Sequence, residues 1–149
     1  EGGLRAGTEN VPYIVGLGKA ASLAAKAPSD AAPRMETLRD KLLRELRSGI
    51  GDGLSVNGDG APRLPDTLNV NFPDVEGNKL LDEAPEICAS TGAACHSGET
   101  HVSATLAAME VPAEIARGAV RLSLGWHTSE DEIDHAASLL IHAWERLVS

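Results

Sequence analysis

Two cysteines and five histidines hold most of the nucleophilic and metal-binding capacity of this 149-residue chain. Cys95 lies in "TGAACHSGETHVS" (91–103), between Gly92 and Gly98, with His96 next to it and His101 five positions beyond His96. The stretch has little apolar content, so it reads as a surface loop. An exposed thiol beside an imidazole ionises more easily, and the thiolate is the nucleophile. Sequence neighbours need not point together, so His96 adds little to that reading. The other reading of a cysteine is core packing, which suits Cys88 in "EICAS" (86–90) better than it suits Cys95. A zinc site built from Cys88, Cys95, His96 and His101 is a third reading. The cysteines are seven apart, which departs from the tight ligand pairs of such sites.

Two other positions are suited to anions. Arg121, in "AVRLSLG" (119–125), is a charged residue on a strand otherwise fit for burial. It is either an exposed strand residue or a clamp for a carboxylate, which guanidinium grips with two parallel hydrogen bonds. Arg5, Thr8, Glu9 and Asn10 precede a helix start, where free N–H groups favour a phosphate or a simple cap. "GLGKAA" (16–21) matches a dinucleotide-binding fingerprint. No second βαβ unit follows it, so close packing of a small-residue helix is the better reading. His127, His135 and His142 fall on or near the last helix and read as surface or boundary residues.

The elements that must hold these residues follow from the pattern. "VPYIVGLGKAASLAAKA" (11–27) predicts a small-residue helix packed closely by its neighbours, capped by Thr8 or Asn10, with Pro12 in its first turn. Residues 33–48 predict an amphipathic helix with Met35, Leu38, Leu42 and Leu46 on one face. Gly49, Gly51 and Gly53 are expected to end it. Leu68, Val70 and Phe72 alternate with Thr67, Asn69 and Asn71, as in a half-buried strand. A short helix (76–85), a short strand (86–90), two helical pieces (103–110 and 112–118) and a strand at 119–125 come next. The last helix starts at Thr128 or Ser129 with Glu132 as its capping-box partner. Ile133, Ala137, Leu140, Ile141, Trp144 and Leu147 form its apolar stripe. The order predicts an α/β two-layer domain, a small antiparallel or mixed sheet covered by helices.

Composition narrows the function. The net charge of −9 argues against a direct nucleic-acid grip. No run is long enough for a membrane span, and two cysteines do not make a secreted disulfide framework, so a reducing cytoplasm is expected. The chain opens on Glu1 in a Gly-rich stretch, which reads as the interior of a longer protein.

Three stretches together resemble one family. "LRAGTENVPYIVGLGKAA" resembles the R-x-G-T-x-N segment of NifS-type cysteine desulfurases. "STGAACHSG" resembles their active-site cysteine loop, and that of the related selenocysteine lyases. "ARGAVRLSLGWHTSEDEID" resembles their C-terminal strand and helix entry, except that Trp126 stands where arginine is usual. The resemblance spans essentially the whole chain. It implies a homodimeric aminotransferase class V enzyme dependent on pyridoxal 5′-phosphate (PLP). Residues 1–28 would be its phosphate-side loop and bridging helix, and 29–149 its C-terminal small domain.

The implied reaction turns L-cysteine into L-alanine and leaves the sulfur as a persulfide for an acceptor protein. Cys95 matches the persulfide-forming cysteine, Arg121 the arginine that holds the substrate carboxylate, and Thr8 the threonine that reaches the PLP phosphate of the partner subunit. The sulfur's destination stays open among iron–sulfur clusters, tRNA thiolation, DNA phosphorothioation and selenium metabolism. The family's PLP lysine follows a histidine, and none of Lys19, Lys26, Lys41 and Lys79 does. The chain alone is therefore expected to be inactive. A selenocysteine lyase, or a stand-alone sulfur-carrying or scaffold domain, are the alternatives.

Overall fold

The computed structural model describes residues 7–26, 30–92 and 103–149. The chain forms two compact units, 1–31 and 32–149. In the first, helix α1 (Val11–Ala24) starts at Asn10, whose side chain accepts the Tyr13 amide at 3.3 Å, with Pro12 in the first turn. Close packing of α1 was expected, yet it has no buried residue. Its apolar side chains are spread around the helix, and Tyr13 and Leu17 are 78% and 71% exposed.

In the second unit, helix α2 (Ala31–Ile50) buries the four expected residues, Met35, Leu38, Leu42 and Leu46, with Leu43 and Arg39 beside them. It runs through Gly49 rather than ending there. A methyl group on Gly49 would lie 2.5 Å from Ile141 Cδ1, so that glycine serves helix packing. The helix ends at Gly51, which has a φ of +89° and donates to the Arg47 carbonyl. Arg39 is only 4% exposed and fully engaged. It donates to Asp40, Glu36 and the Leu64 carbonyl, tying α2 to the stretch before the second strand.

Strands β1 (Ser55–Val56), β2 (Thr67–Asn71) and β3 (Ala119–Ser123) form an antiparallel sheet in that order. β1 is too short to announce itself by alternation. The expected strand at 86–90 reduces to a single bridge, Ser90 with Arg121. The chain there is still leaving a turn, with the Ile87 amide on the Ala84 carbonyl. Ile87 and Ala89 pack against the core, and Cys88, expected in the core, is exposed. Strand alternation explains the correction, because Cys88 falls between two inward residues.

Leu68, Val70, Phe72, Val120, Leu122 and Leu124 form the sheet's apolar face, joined in one core by α2, α3 (Gly77–Asp82) and α6 (Glu130–Val148). Ser129 and Glu132 close the expected capping box. The Trp144 indole donates to the Pro73 carbonyl at 2.9 Å. Gly118 makes the closest approach: its carbonyl accepts the Phe72 amide at 2.9 Å, and a methyl there would lie 2.0 Å from the Phe72 oxygen. This is the expected α/β architecture, with the sheet antiparallel throughout.

Candidate functional site

Arg121 sits in the middle of β3, between Val120 and Leu122, which both point into the core. Alternation therefore turns its side chain to the opposite face, where it is exposed. Its backbone is fixed from one side. The Arg121 amide donates to the Ser90 carbonyl at 2.7 Å, and the Ser90 amide to the Arg121 carbonyl at 3.2 Å. The guanidinium has no hydrogen bond or ion pair among the described residues, in contrast to Arg39, Arg34 and Arg146.

The face around it is polar but nearly uncharged. Thr67, Asn69 and Asn71 of β2 and Ser123 of β3 share it by alternation, and none is a carboxylate although the chain holds 22 acids. One end of this face is closed. Ala119 packs there with Leu106 of α4 (Ala104–Ala108) and Ala116 of α5 (Ala113–Ala116). At that end Asn71, 3% exposed, exchanges hydrogen bonds with Asn57 at 2.8 and 3.0 Å and donates to Ser55 Oγ at 2.9 Å. The other end, with Arg121 and Ser123, is open to solvent.

Cys95, with His96 and His101, lies outside the described residues. Gly92 and Ser103, which flank that stretch, lie side by side: a methyl on Gly92 would be 3.7 Å from Ser103 Cβ. Ser90, the bridge partner of Arg121, is two residues before Gly92 and hydrogen-bonds to it. The flanks of the cysteine stretch are thus attached to the strand that carries Arg121.

Thr8 belongs to the first unit, two residues ahead of the Asn10 cap, and is exposed. The residues fit PLP only in part. Thr8 offers a hydroxyl near a helix start and Arg121 a cation for a carboxylate. Lys41 is paired with Asp134 at 2.6 Å and Glu130 at 3.6 Å, and Lys79 with Glu76 at 2.8 Å. The hydrogen bond to Asp134 holds the Lys41 ammonium above its ordinary range. Among the described residues no group of three or more His, Cys, Asp or Glu is placed to hold a metal. No helix among them is long and apolar enough to cross a membrane. A cleft of about 710 Å³ beside Asn71, lined by Asp52, Phe72, Lys79 and Arg117 among others, holds none of the candidate residues.

The fold is a small α/β domain that carries an exposed cation, Arg121, on the open face of its antiparallel sheet. The aminotransferase class-V family model matches residues 2–136, and the chain belongs to that family. It is 41% identical over 147 residues to "Cysteine desulfurase IscS" of Anaeromyxobacter sp. (strain Fw109-5), covering 99% of this chain and 36% of that protein. It is 44% identical over 149 residues to "Cysteine desulfurase" of Trichormus azollae, covering 99% and 37%. The fold matches a NifS-like protein from Rickettsia africae ESF-5 with a TM-score of 0.75 and 26% identity, over 97% of this chain and 36% of that one. A second NifS-like protein matches with a TM-score of 0.73 and 35% identity, over 98% and 36%. The chain thus spans little more than a third of the relatives it matches.

Proposed function

We propose that this chain is the C-terminal small domain and bridging helix of a PLP-dependent cysteine desulfurase. The observation that carries the reading is the Arg121 guanidinium, unpartnered among the described residues, on a face whose described strand residues include no acid, attached to the flanks of the Cys95 stretch. The kinship with proteins named cysteine desulfurases supports it and favours neither a selenocysteine lyase nor a non-catalytic scaffold.

In this reading Arg121 receives the carboxylate of L-cysteine in a bidentate fork and fixes the amino acid's orientation. PLP, when bound, draws electrons from the substrate carbon skeleton so that the carbon–sulfur bond can break. The Cys95 thiolate attacks the substrate sulfur and forms the new S–S bond. The electron pair of the broken C–S bond stays on carbon, which takes up a proton and leaves as L-alanine. An acceptor protein's thiolate then removes the outer sulfur by ordinary exchange. Thr8 donates to the PLP phosphate of the partner subunit in a homodimer. Its position ahead of a helix start suits that role. The PLP lysine is not in this chain, which therefore turns over no cysteine by itself.

The test is alanine release by the full-length enzyme, wild type against Cys95→Ala, with cysteine and with selenocysteine. Loss of cysteine turnover with selenocysteine turnover retained supports Cys95 as the sulfur acceptor. Cysteine turnover that survives in the variant refutes it. A wild type active on selenocysteine alone makes the protein a lyase.

A further inference from the structure

Arg121 has a close cross-strand neighbour on its own face of the sheet. The register places it opposite Asn69 of β2. Both Arg121 backbone groups are spent on Ser90, on the far side of β3, while the Asn69 carbonyl accepts the Asn57 amide at 2.9 Å on the far side of β2. Arg121 and Asn69 are therefore a non-hydrogen-bonded pair, the kind in which Cα atoms are about 4.5 Å apart and side chains come closest. The Asn69 amide is also oriented. Asn57 and Asn71 each donate from Nδ2 to the other's Oδ1, and Asn57 Nδ2 donates at 2.8 Å to Asn69 Oδ1 as well. The oxygen of Asn69 is thus held toward β1. Its Nδ2 group has no acceptor among the described residues and stands on the same face as the guanidinium.

We propose that Asn69 is a substrate-binding residue that donates a third hydrogen bond, through Nδ2, to the carboxylate that Arg121 holds with two. This rests on the reading of Arg121 as the carboxylate clamp. A carboxylate has room for about four hydrogen bonds, and a bidentate arginine leaves lone pairs for a neutral donor at its side. A neutral amide adds selectivity for the anion without the cost of packing a second cation beside Arg121. The Asn57–Asn71 pair is the support that keeps the donor aimed.

Asn69→Asp separates this role from a structural one. The aspartate keeps an oxygen for Asn57 and replaces the donor with an acceptor. In the full-length enzyme the KM for L-cysteine is expected to rise about tenfold in Asn69→Ala and further in Asn69→Asp, with kcat changed much less. Competitive inhibition by L-alanine should weaken in parallel. Inhibition by ethylamine, which is alanine without its carboxylate, should be unchanged. A KM within twofold of wild type in both variants, or equal weakening of alanine and ethylamine, overturns the proposal. Should the wild type release no alanine from cysteine, the desulfurase reading itself fails, and weaker binding of alanine but not ethylamine in the variants still tests Asn69.

Discussion

At the scale of single residues, two positions have consequences that differ in kind. Arg121 is buried in nothing and bonded to nothing through its side chain among the described residues, so its removal should cost function rather than stability. Arg121→Ala in the full-length enzyme is expected to raise the KM for cysteine roughly 100-fold, since a charged bidentate contact is lost, while the thermal midpoint stays put. An unchanged KM would remove Arg121 from the site. Gly118 is the opposite case. A methyl there meets the Phe72 carbonyl oxygen at 2.0 Å, a backbone atom within the sheet that cannot swing aside. Gly118→Ala should destabilise the second unit by about 2 kcal/mol, read as a lower urea midpoint with an unchanged slope. Unaltered stability would mean that the two strands can separate at little cost.

At the scale of elements, α6 buries one apolar stripe, Ile133, Ala137, Leu140 and Ala143, whereas α1 has no buried residue. The capping box of α6 joins Ser129 and Glu132 through three contacts of 2.7, 3.0 and 3.3 Å. Ser129→Ala should cost about 1 kcal/mol of stability. The backbone hydrogen bond from Ser129, then its hydroxyl, holds the Glu132 carboxyl below its ordinary value of 4.5. A carboxyl lowered on folding stabilises the native state above its unfolded pKa, and that contribution fades as pH falls through the folded one. The stability difference between wild type and Glu132→Gln should therefore narrow as a urea series is taken from neutral pH to well below the ordinary carboxyl value of 4.5. A constant difference would show that the carboxylate contributes nothing through its charge.

Helix α1 carries apolar residues on several sides, interrupted only by Lys19 and Ser22, a composition closer to a buried helix than to a one-faced surface helix. Leu17→Lys should leave the thermal midpoint of the 149-residue chain unchanged, because Leu17 is 71% exposed there. The same change should lower the midpoint of the full-length enzyme if the close packing that the sequence predicts for this helix is supplied there. Equal midpoints in the full-length pair would leave α1 without a partner.

At the scale of the whole molecule, under the proposed function this chain carries the parts of a site rather than a whole one. Lys41 and Lys79 are engaged with carboxylates, and Lys19 and Lys26 are exposed on or just after α1. Incubating the 149-residue chain with PLP and reducing with borohydride should give no stoichiometric adduct on any single lysine by mass spectrometry. A single-site stoichiometric adduct would mean that the cofactor lysine is in this chain after all.

The sequence by itself determined the long helices, the starts of α1 and α6 to within one of two capping residues each, Thr8 or Asn10 and Thr128 or Ser129, the two main strands and the candidate residues. These rest on local periodicity, local hydrogen bonds and motif spacing, all contained in short windows. It also carried the resemblance that the family match bears out. The tertiary structure alone decided the rest. β1 exists because β2 lies beside it, and "EICAS" keeps only one bridge because a turn precedes it. Cys88 faces outward because two neighbours point in, and Gly49 packs a helix because Ile141 lies across it. The pairing of Asn69 with Arg121 belongs to the same group. The register of β2 on β3 depends on contacts between residues 48 to 56 positions apart, and no local pattern encodes which of two polar residues will stand opposite the other.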